Sequence, residues 1–366
     1  MQLSTIITIL EEIASPSLAE SWDNVGLLTG DPNQDISGIL LTIDYSAAVA
    51  EEARASKCDL VIAYHPPIFH PLKRLLAGSV VFDAIRRGVA IYSPHTALDV
   101  AEGGTNDMLA DALGLTDRQP LRPGELKATQ YKLVVFVPVE AVQRVSRALF
   151  DAGAGNIGNY ASCSFRSPGT GTFFGREGAR PAVGEAGRLE QVEEIRLETI
   201  VPIAGVNAVL AALRQSHPYE EPAFDLNVLA PAVGGSIKLK GQGRIGSMPP
   251  KARADLFDRI KRELGIDHLL IAGPTEGSVS RAAVCAGACG DLLDDAMKAS
   301  AELYLTGEIR HHDAVKAAAG GMTVVCTLHS NSERAVLKRV KKRMEETAGM
   351  PPIRLAAVDR DPFSVR

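Results

Sequence analysis

An α/β domain interrupted by an inserted α+β domain is the architecture that this 366-residue chain predicts. Three observations lead there. Strand and helix signals alternate over the first third and again over the last third, the pattern of parallel strands joined by crossover helices. Between them, a stretch of about 100 residues carries a complete β-α-β-β-α-β order of its own, the ferredoxin-like pattern. The length also exceeds one average core, so two or three domains are expected.

The elements follow in order. In "MQLSTIITILEEIASP", Ile6, Ile7, Leu10 and Ile13 keep a helical period, and Glu11 and Glu12 break the apolar run, so the segment is a helix and not a secretory leader. "GILLTID" is a buried strand, "SAAVAEEARASK" a helix, "DLVIAYH" a strand, "GSVVFDAIRRG" a helix and "VAIYSPH" a strand. "GGTNDMLADALGL" opens on glycines and continues as a helix. The middle run is "YKLVVFVP", "EAVQRVSRALFDAGA", the Gly-rich extended patches of "GNYASCSFRSPGTGTFFG", "EEIRLETIVP", "VNAVLAALRQSHP" and "AFDLNVLA". After "PAVGGS" the alternation returns, from "ARADLFDRIKRELG" through "HLLIAG", "RAAVCAG" and "ELYLTG" to "MTVVCTLH" and a last helix. The expected domains are therefore 1–128 and 232–366 as one interrupted α/β domain, with 129–231 inserted.

Composition excludes several classes. Net charge is −5 and aromatic residues make up 5%, which argues against a nucleic-acid surface. The five cysteines are odd in number and scattered, so they form no disulfide framework, and Cys285 and Cys289 read as buried thiols. No apolar run approaches a membrane span, and a cytoplasmic protein is expected.

Chemistry concentrates at strand tips. "VIAYHPPIFHPLKRL" stops a buried strand on Tyr64-His65 and locks the next turn with Pro66-Pro67. Proline fixes its own φ and pushes the preceding residue toward extended geometry, so His65 has little backbone freedom. Such an imidazole suits a metal or a proton transfer, or it fills a turn. "TVVCTLHSNSE" delivers His329 in the same way, with Glu333 four residues on and on the same helical face. Ser330 with Glu333 also reads as a capping box. "YSPHTALD" adds His95 and Asp99. His65, Asp99, His329 and Glu333 form a mixed N/O set for a borderline divalent ion, and parallel sheets gather such strand ends on one edge. Glu333, His95 or Glu308 are candidates to move protons. His311-His312 either lines the cavity or sits on a solvated helix. "GQGRIG" runs into "SMPP" and not into a helix, so it is no dinucleotide site. "HPYEEP", with His217, Glu220 and Glu221, reads as a fixed strand entry set by its prolines, with metal binding as the lesser alternative.

Together, "ESWDNVGLLTG", "YHPPIFHPLKRL", "SPHTALDVAEGGTNDMLADALG", "GQGRIG", "LYLTGEIRHHDA" and "LHSNSE" resemble the NIF3-like (DUF34) family, whose members carry a dinuclear metal centre. The insert resembles the CutA/PII-like domain of its longer members. The resemblance implies metal contacts from His65, Asp99, His329 and Glu333, with Glu333 bridging two ions, zinc, iron or manganese. It also implies a homo-oligomer, a toroidal hexamer. Many bacterial members have two histidines where this chain has Tyr64-His65, so the second position is weak, uses Tyr64 or is filled by water. Some relatives carry a GTP cyclohydrolase type 2 label, which makes a metal-dependent hydrolase of a small molecule or nucleotide one expectation. A non-enzymatic metal chaperone, buffer or regulator is the other.

Overall fold

A computed structural model describes residues 1–124, 130–229 and 240–365. The chain divides into two compact units, Met1–Gly124 with Lys238–Arg366, and Glu125–Ile237. The junctions expected at 128/129 and 231/232, and the "PAVGGS" connector, lie outside the described residues.

The discontinuous unit holds two large sheets. In the first, Ile39–Thr42, Leu60–Ala63 and Ala90–Ser93 run parallel, flanked by Ile353–Leu355 (parallel) and Gly26–Thr29 (antiparallel). The three central strands are buried along their whole length, which is why they read as unbroken apolar runs. In the second, Ser278–Cys285, Leu303–Thr306 and Thr323–Cys326 run parallel. Leu270–Ala272, Arg244–Ala252 and Thr116–Gln119 extend that sheet antiparallel. The alternating pattern thus yields parallel centres, with antiparallel strands at every sheet edge except Ile353–Leu355. Thr116–Gln119 ("TDRQ") has no apolar alternation of its own and is a strand because its neighbour pairs with it.

One core joins the two sheets. Leu41, Ile62 and Tyr92 of the first share a buried cluster with Ala282, Val284, Leu305 and Val325 of the second. The helices Leu3–Ile13, Thr105–Leu113, Arg253–Leu264 and Val336–Glu345 add Leu3, Leu109, Leu256 and Val340 to it. Each buried leucine or isoleucine stabilises the fold by about 1.5–3 kcal/mol. This shared core holds the strand ends of both sheets in register with each other.

The inserted unit is an antiparallel sheet of Gln130–Pro138, Ser164–Phe174, Leu189–Pro202 and Phe224–Val228. Its spatial order is fourth-first-third-second, which is ferredoxin-like. Val142–Asp151 and Val206–Ser216 cover one face through Leu133, Val135, Leu149, Leu197 and Leu213. Among the described residues no helix is long and apolar enough to cross a membrane.

Candidate metal centre

Strand ends build the site. Asp44 follows Ile39–Thr42, His65 follows Leu60–Ala63, and Glu308 follows Leu303–Thr306. His329 and Glu333 lie on a short helix, His329–Arg334, just beyond Thr323–Cys326. A single parallel edge was expected to collect these residues. The structure collects them from two sheets, across the core that both share.

His65 Nδ1 lies 2.9 Å from Asp44 Oδ1, and His329 Nδ1 lies 2.8 Å from Glu308 Oε1. Each carboxylate accepts the Nδ1 proton, so a neutral ring keeps its lone pair on Nε2. Both Nε2 atoms face Glu333, which is 3% exposed. His65 Nε2 is 3.2 Å from Oε2 and His329 Nε2 is 3.4 Å from Oε1. The first approach is off the angle a hydrogen bond needs, and His65 Nε2 and Glu333 Oε2 are left buried without a partner. An unpaired buried polar group costs about 1–3 kcal/mol. The ligand atoms of His65, His329 and Glu333 lie within 4.8 Å of one another, so this trio can hold a metal ion. Gly287 makes the room: its φ is +70°, and a Cβ there would stand 3.0 Å from Glu333 Oε1 and 3.4 Å from His329 Nε2.

Without a metal ion the two imidazoles favour their protonated forms. Burial opposes charge on His65, but the hydrogen bond to Asp44 and the charge of Glu333 raise its pKa to about 10. Contact with Glu333, against the cost of burial and aided by Glu308, raises His329 to about 9. Burial works against the Glu333 charge, yet the two imidazoles hold its carboxyl below the usual range. His65 likewise lowers Asp44.

The sequence matches Duf34/NIF3 (NGG1p interacting factor 3) over residues 1–362. The chain belongs to the Duf34/NIF3 family. Relatives named "GTP cyclohydrolase 1 type 2 homolog" agree. One from Halalkalibacterium halodurans is 38% identical over 347 residues, 93% of this chain and 92% of the relative. One from Bacillus subtilis is 37% identical over 325 residues, 87% and 86% of the two chains. A solved Bacillus cereus protein related to NIF3 superposes with a TM-score of 0.69 at 33% identity, covering 100% of this chain and 99% of that one.

The Tyr64 side chain, next to His65, is fully buried. Its hydroxyl donates to Asp99 and lies 3.0 Å from the Thr105 hydroxyl. Burial and the Asp99 charge push the phenol well above its ordinary pKa of 10, so it stays a neutral donor. Asp99 stands outside the trio. Burial and the charge of Glu333 raise it to about 7.

His95 repeats the support pattern. Its Nδ1 is 2.8 Å from Asp23 Oδ1, and Asp23 Oδ2 accepts from the Thr96 N–H and hydroxyl. Burial opposes the Asp23 charge, but His95 and Thr96 outweigh it and lower that carboxyl. The His95 and His329 rings each centre 5.4 Å from the ring of His65. Among the described residues His95 Nε2 has no hydrogen-bond partner. His95 has φ +27° and Leu328, just before His329, has φ +71°. Left-handed non-glycine backbone costs about 1–3 kcal/mol, and here it aims two imidazoles.

The capping box is not formed. Ser330 Oγ donates to Asp361 Oδ2 at 2.7 Å, and the Glu333 carboxylate faces the histidines. His70 and the His311-His312 pair are exposed. Cys285 is buried, Cys289 half-buried, and both are free thiols. Asp23, Asp44 and Gly287 went unnoticed in the sequence. Asp44 ends "GILLTID" and could have been nominated as a strand-tip acid. Asp23 lies 72 positions from His95, and its one mark in the sequence is its place in "ESWDNVGLLTG".

Proposed function

We propose that the chain is a divalent-metal-dependent hydrolase acting on a small molecule of the nucleotide class. The observation that carries the metal is the buried pair without partners, His65 Nε2 and Glu333 Oε2, backed by a second imidazole on the same carboxylate. The relatives' name, GTP cyclohydrolase 1 type 2 homolog, supports the substrate class. His65, His329 and Glu333 hold the ion, zinc, iron or manganese, and Asp99 is a fourth contact. The two Glu333 oxygens face different histidines, which suits a carboxylate shared by two ions. A neutral Tyr64 phenol makes the second position the weaker one. A bound divalent ion lowers the pKa of water and polarises a carbonyl or phosphoryl oxygen.

Of the three candidate proton carriers, Glu308 is engaged behind His329, and Glu333 faces the two imidazoles. His95 remains. Asp23 fixes its Nδ1 proton, and Nε2 is open to take a proton and return it. The working form is a cytoplasmic homo-oligomer, a toroidal hexamer, which sedimentation at several concentrations tests.

Tyr64 favours a second reading, a metal chaperone, buffer or regulator, because a weakened second position harms two-metal catalysis more than storage. One experiment separates the two. The protein is analysed for metals, stripped, reloaded with zinc, manganese or ferrous ion, and assayed against nucleotides and phosphoesters. Turnover that follows metal content and falls in His95→Ala at unchanged occupancy is expected. Full occupancy with no turnover selects the second reading, and absence of bound metal overturns both.

A further inference from the structure

The inserted unit has a cavity of about 630 Å³. Its floor includes Phe136, Glu194 and Arg196. These alternate along their strands with Val135, Val137, Ile195 and Leu197, which pack toward the helices, so the cavity opens on the other sheet face. Register fixes the floor: Phe136 pairs with Arg196, and Glu194 lies between Pro138 and Gly169. Two glycines keep it open. A Cβ at Gly171 would collide with Glu194 Oε2, and one at Gly169 would meet nothing within 4 Å.

Glu194 is 9% exposed. Its Oε1 accepts from the Tyr219 hydroxyl at 2.8 Å, and its Oε2 has no hydrogen-bond partner among the described residues. The "HPYEEP" motif places this tyrosine. Buried His217 donates from Nε2 to the Phe136 carbonyl at 3.0 Å and accepts the Tyr219 N–H on Nδ1 at 3.1 Å. Burial lowers the His217 pKa, which suits this neutral tautomer. Glu220 accepts the Arg180 N–H at 3.0 Å, tying a loop to the cavity's rim. Arg196, the cation on the floor, is already paired with Glu198 at 2.8 Å.

We infer that this cavity is a binding site for a small organic cation, an amidine, guanidine or primary amine on a flat apolar body. The cation donates to Glu194 Oε2, and its body rests on Phe136 and Tyr219. Glu194 Oε2 lines the cavity without a protein donor, and a charged donor there makes a charge-assisted hydrogen bond. Three carboxylates, Glu194, Glu220 and Glu221, line the cavity against two guanidinium groups, Arg180 and Arg196, and Arg196 is paired with Glu198 outside the lining. The inference is independent of the metal centre.

The test is calorimetric titration of the intact protein with benzamidine, benzamide and benzoate, three probes with one ring and different charge. Benzamidine should bind, benzamide at least about tenfold more weakly, and benzoate not at all, since a charge-assisted hydrogen bond is worth about tenfold or more. Glu194→Gln should weaken benzamidine about tenfold. Gly169→Leu, which fills the open floor, should abolish binding with thermal stability and metal content unchanged. Gly169→Leu decides the matter should Glu194→Gln fail to fold. No benzamidine binding at about 10 mM, enough to saturate even a millimolar site, would overturn the inference. So would equal binding to either variant, or benzoate binding as well as benzamidine.

Discussion

Asp44 holds the proton of His65 Nδ1 and thereby decides which nitrogen of that ring is free. Asp44→Asn keeps an oxygen acceptor but removes its charge. A hydrogen bond to a charged group contributes about 1.5–3 kcal/mol. The Asp44 side chain is 58% exposed, so water screens it and the loss falls at the low end. About 1.4 kcal/mol, or tenfold in metal affinity, is expected. Asp44→Ala removes the acceptor as well and should approach the hundredfold that outer-shell carboxylates reach, a value of about 2.8 kcal/mol. Glu308→Gln acts on the other imidazole across 2.8 Å and should also cost about tenfold. The two histidines share Glu333, so the double variant measures how far the supports couple. The assay is zinc competition against a chelator of known affinity, using stripped protein at fixed pH and salt. Unfolding of the stripped variants controls for the fold. Glu51→Gln, which breaks an exposed pair with Arg54, should leave affinity unchanged. Wild-type affinity in Asp44→Ala would refute the reasoning, because His65 would then need no acceptor behind it.

Further outcomes follow from the same geometry. With folded pKa values of about 10 and about 9, His65 and His329 are protonated in stripped protein at neutral pH, so metal uptake should release protons and tighten as pH rises. Proton counting in buffers of different ionisation enthalpy checks this, and uptake without release contradicts it. Both pKa values are raised, so the stability these histidines give stripped protein is full below about 6.5 and fades as pH climbs through about 9 and 10. Thermal melts across that window test the sign, and a rise in stability from this pair would be wrong. Tyr64→His should increase bound metal per chain by elemental analysis; an unchanged ratio would remove the case for a weakened second position. His329→Ala should lower metal occupancy while the exposed His70→Ala does not, and equal metal content in all three proteins would end the proposal for this site. Residues 129–231 expressed alone should unfold cooperatively, and a gradual melt would show that the inserted unit depends on the rest of the chain.

What could be read from the sequence was what a local segment carries. Leu60–Ala63 and Thr323–Cys326 are apolar runs that each lead to a histidine, and a run of that kind announces both the strand and the side chain at its tip. Gly26–Thr29 and Thr116–Gln119 are four-residue edge strands whose pairing comes from a neighbour, and they left no such mark. The supports of the imidazoles are tertiary in the same sense: Asp44 is 21 positions from His65 and Asp23 is 72 from His95. Glu333 had two local readings, ligand and capping partner. The helix begins on His329, directly after Leu328 at φ +71°, so Ser330 is already inside the first turn and cannot cap it.

The like-charge conflict between Asp99 and Glu333 was also legible, but not which residue would yield. Glu333 faces two imidazoles and keeps its charge, with a pKa held below the usual range. Asp99 has a phenol and not an imidazole at residue 64, and Tyr64 can offer it a hydrogen bond but no positive charge. Asp99 therefore yields, its pKa rising to about 7. Below about pH 7 in the stripped protein, a proton on Asp99 does what a second cation would do. An ion arriving beside Asp99 must displace that proton; the Tyr64 hydroxyl, donating to the ionised carboxylate, draws the Asp99 pKa down against burial and the Glu333 charge, but it brings the metal no imidazole nitrogen. Tyr64 therefore acts on a second ion by withholding a nitrogen ligand and not by keeping the proton on Asp99, while His65, His329 and Glu333 stand as they are.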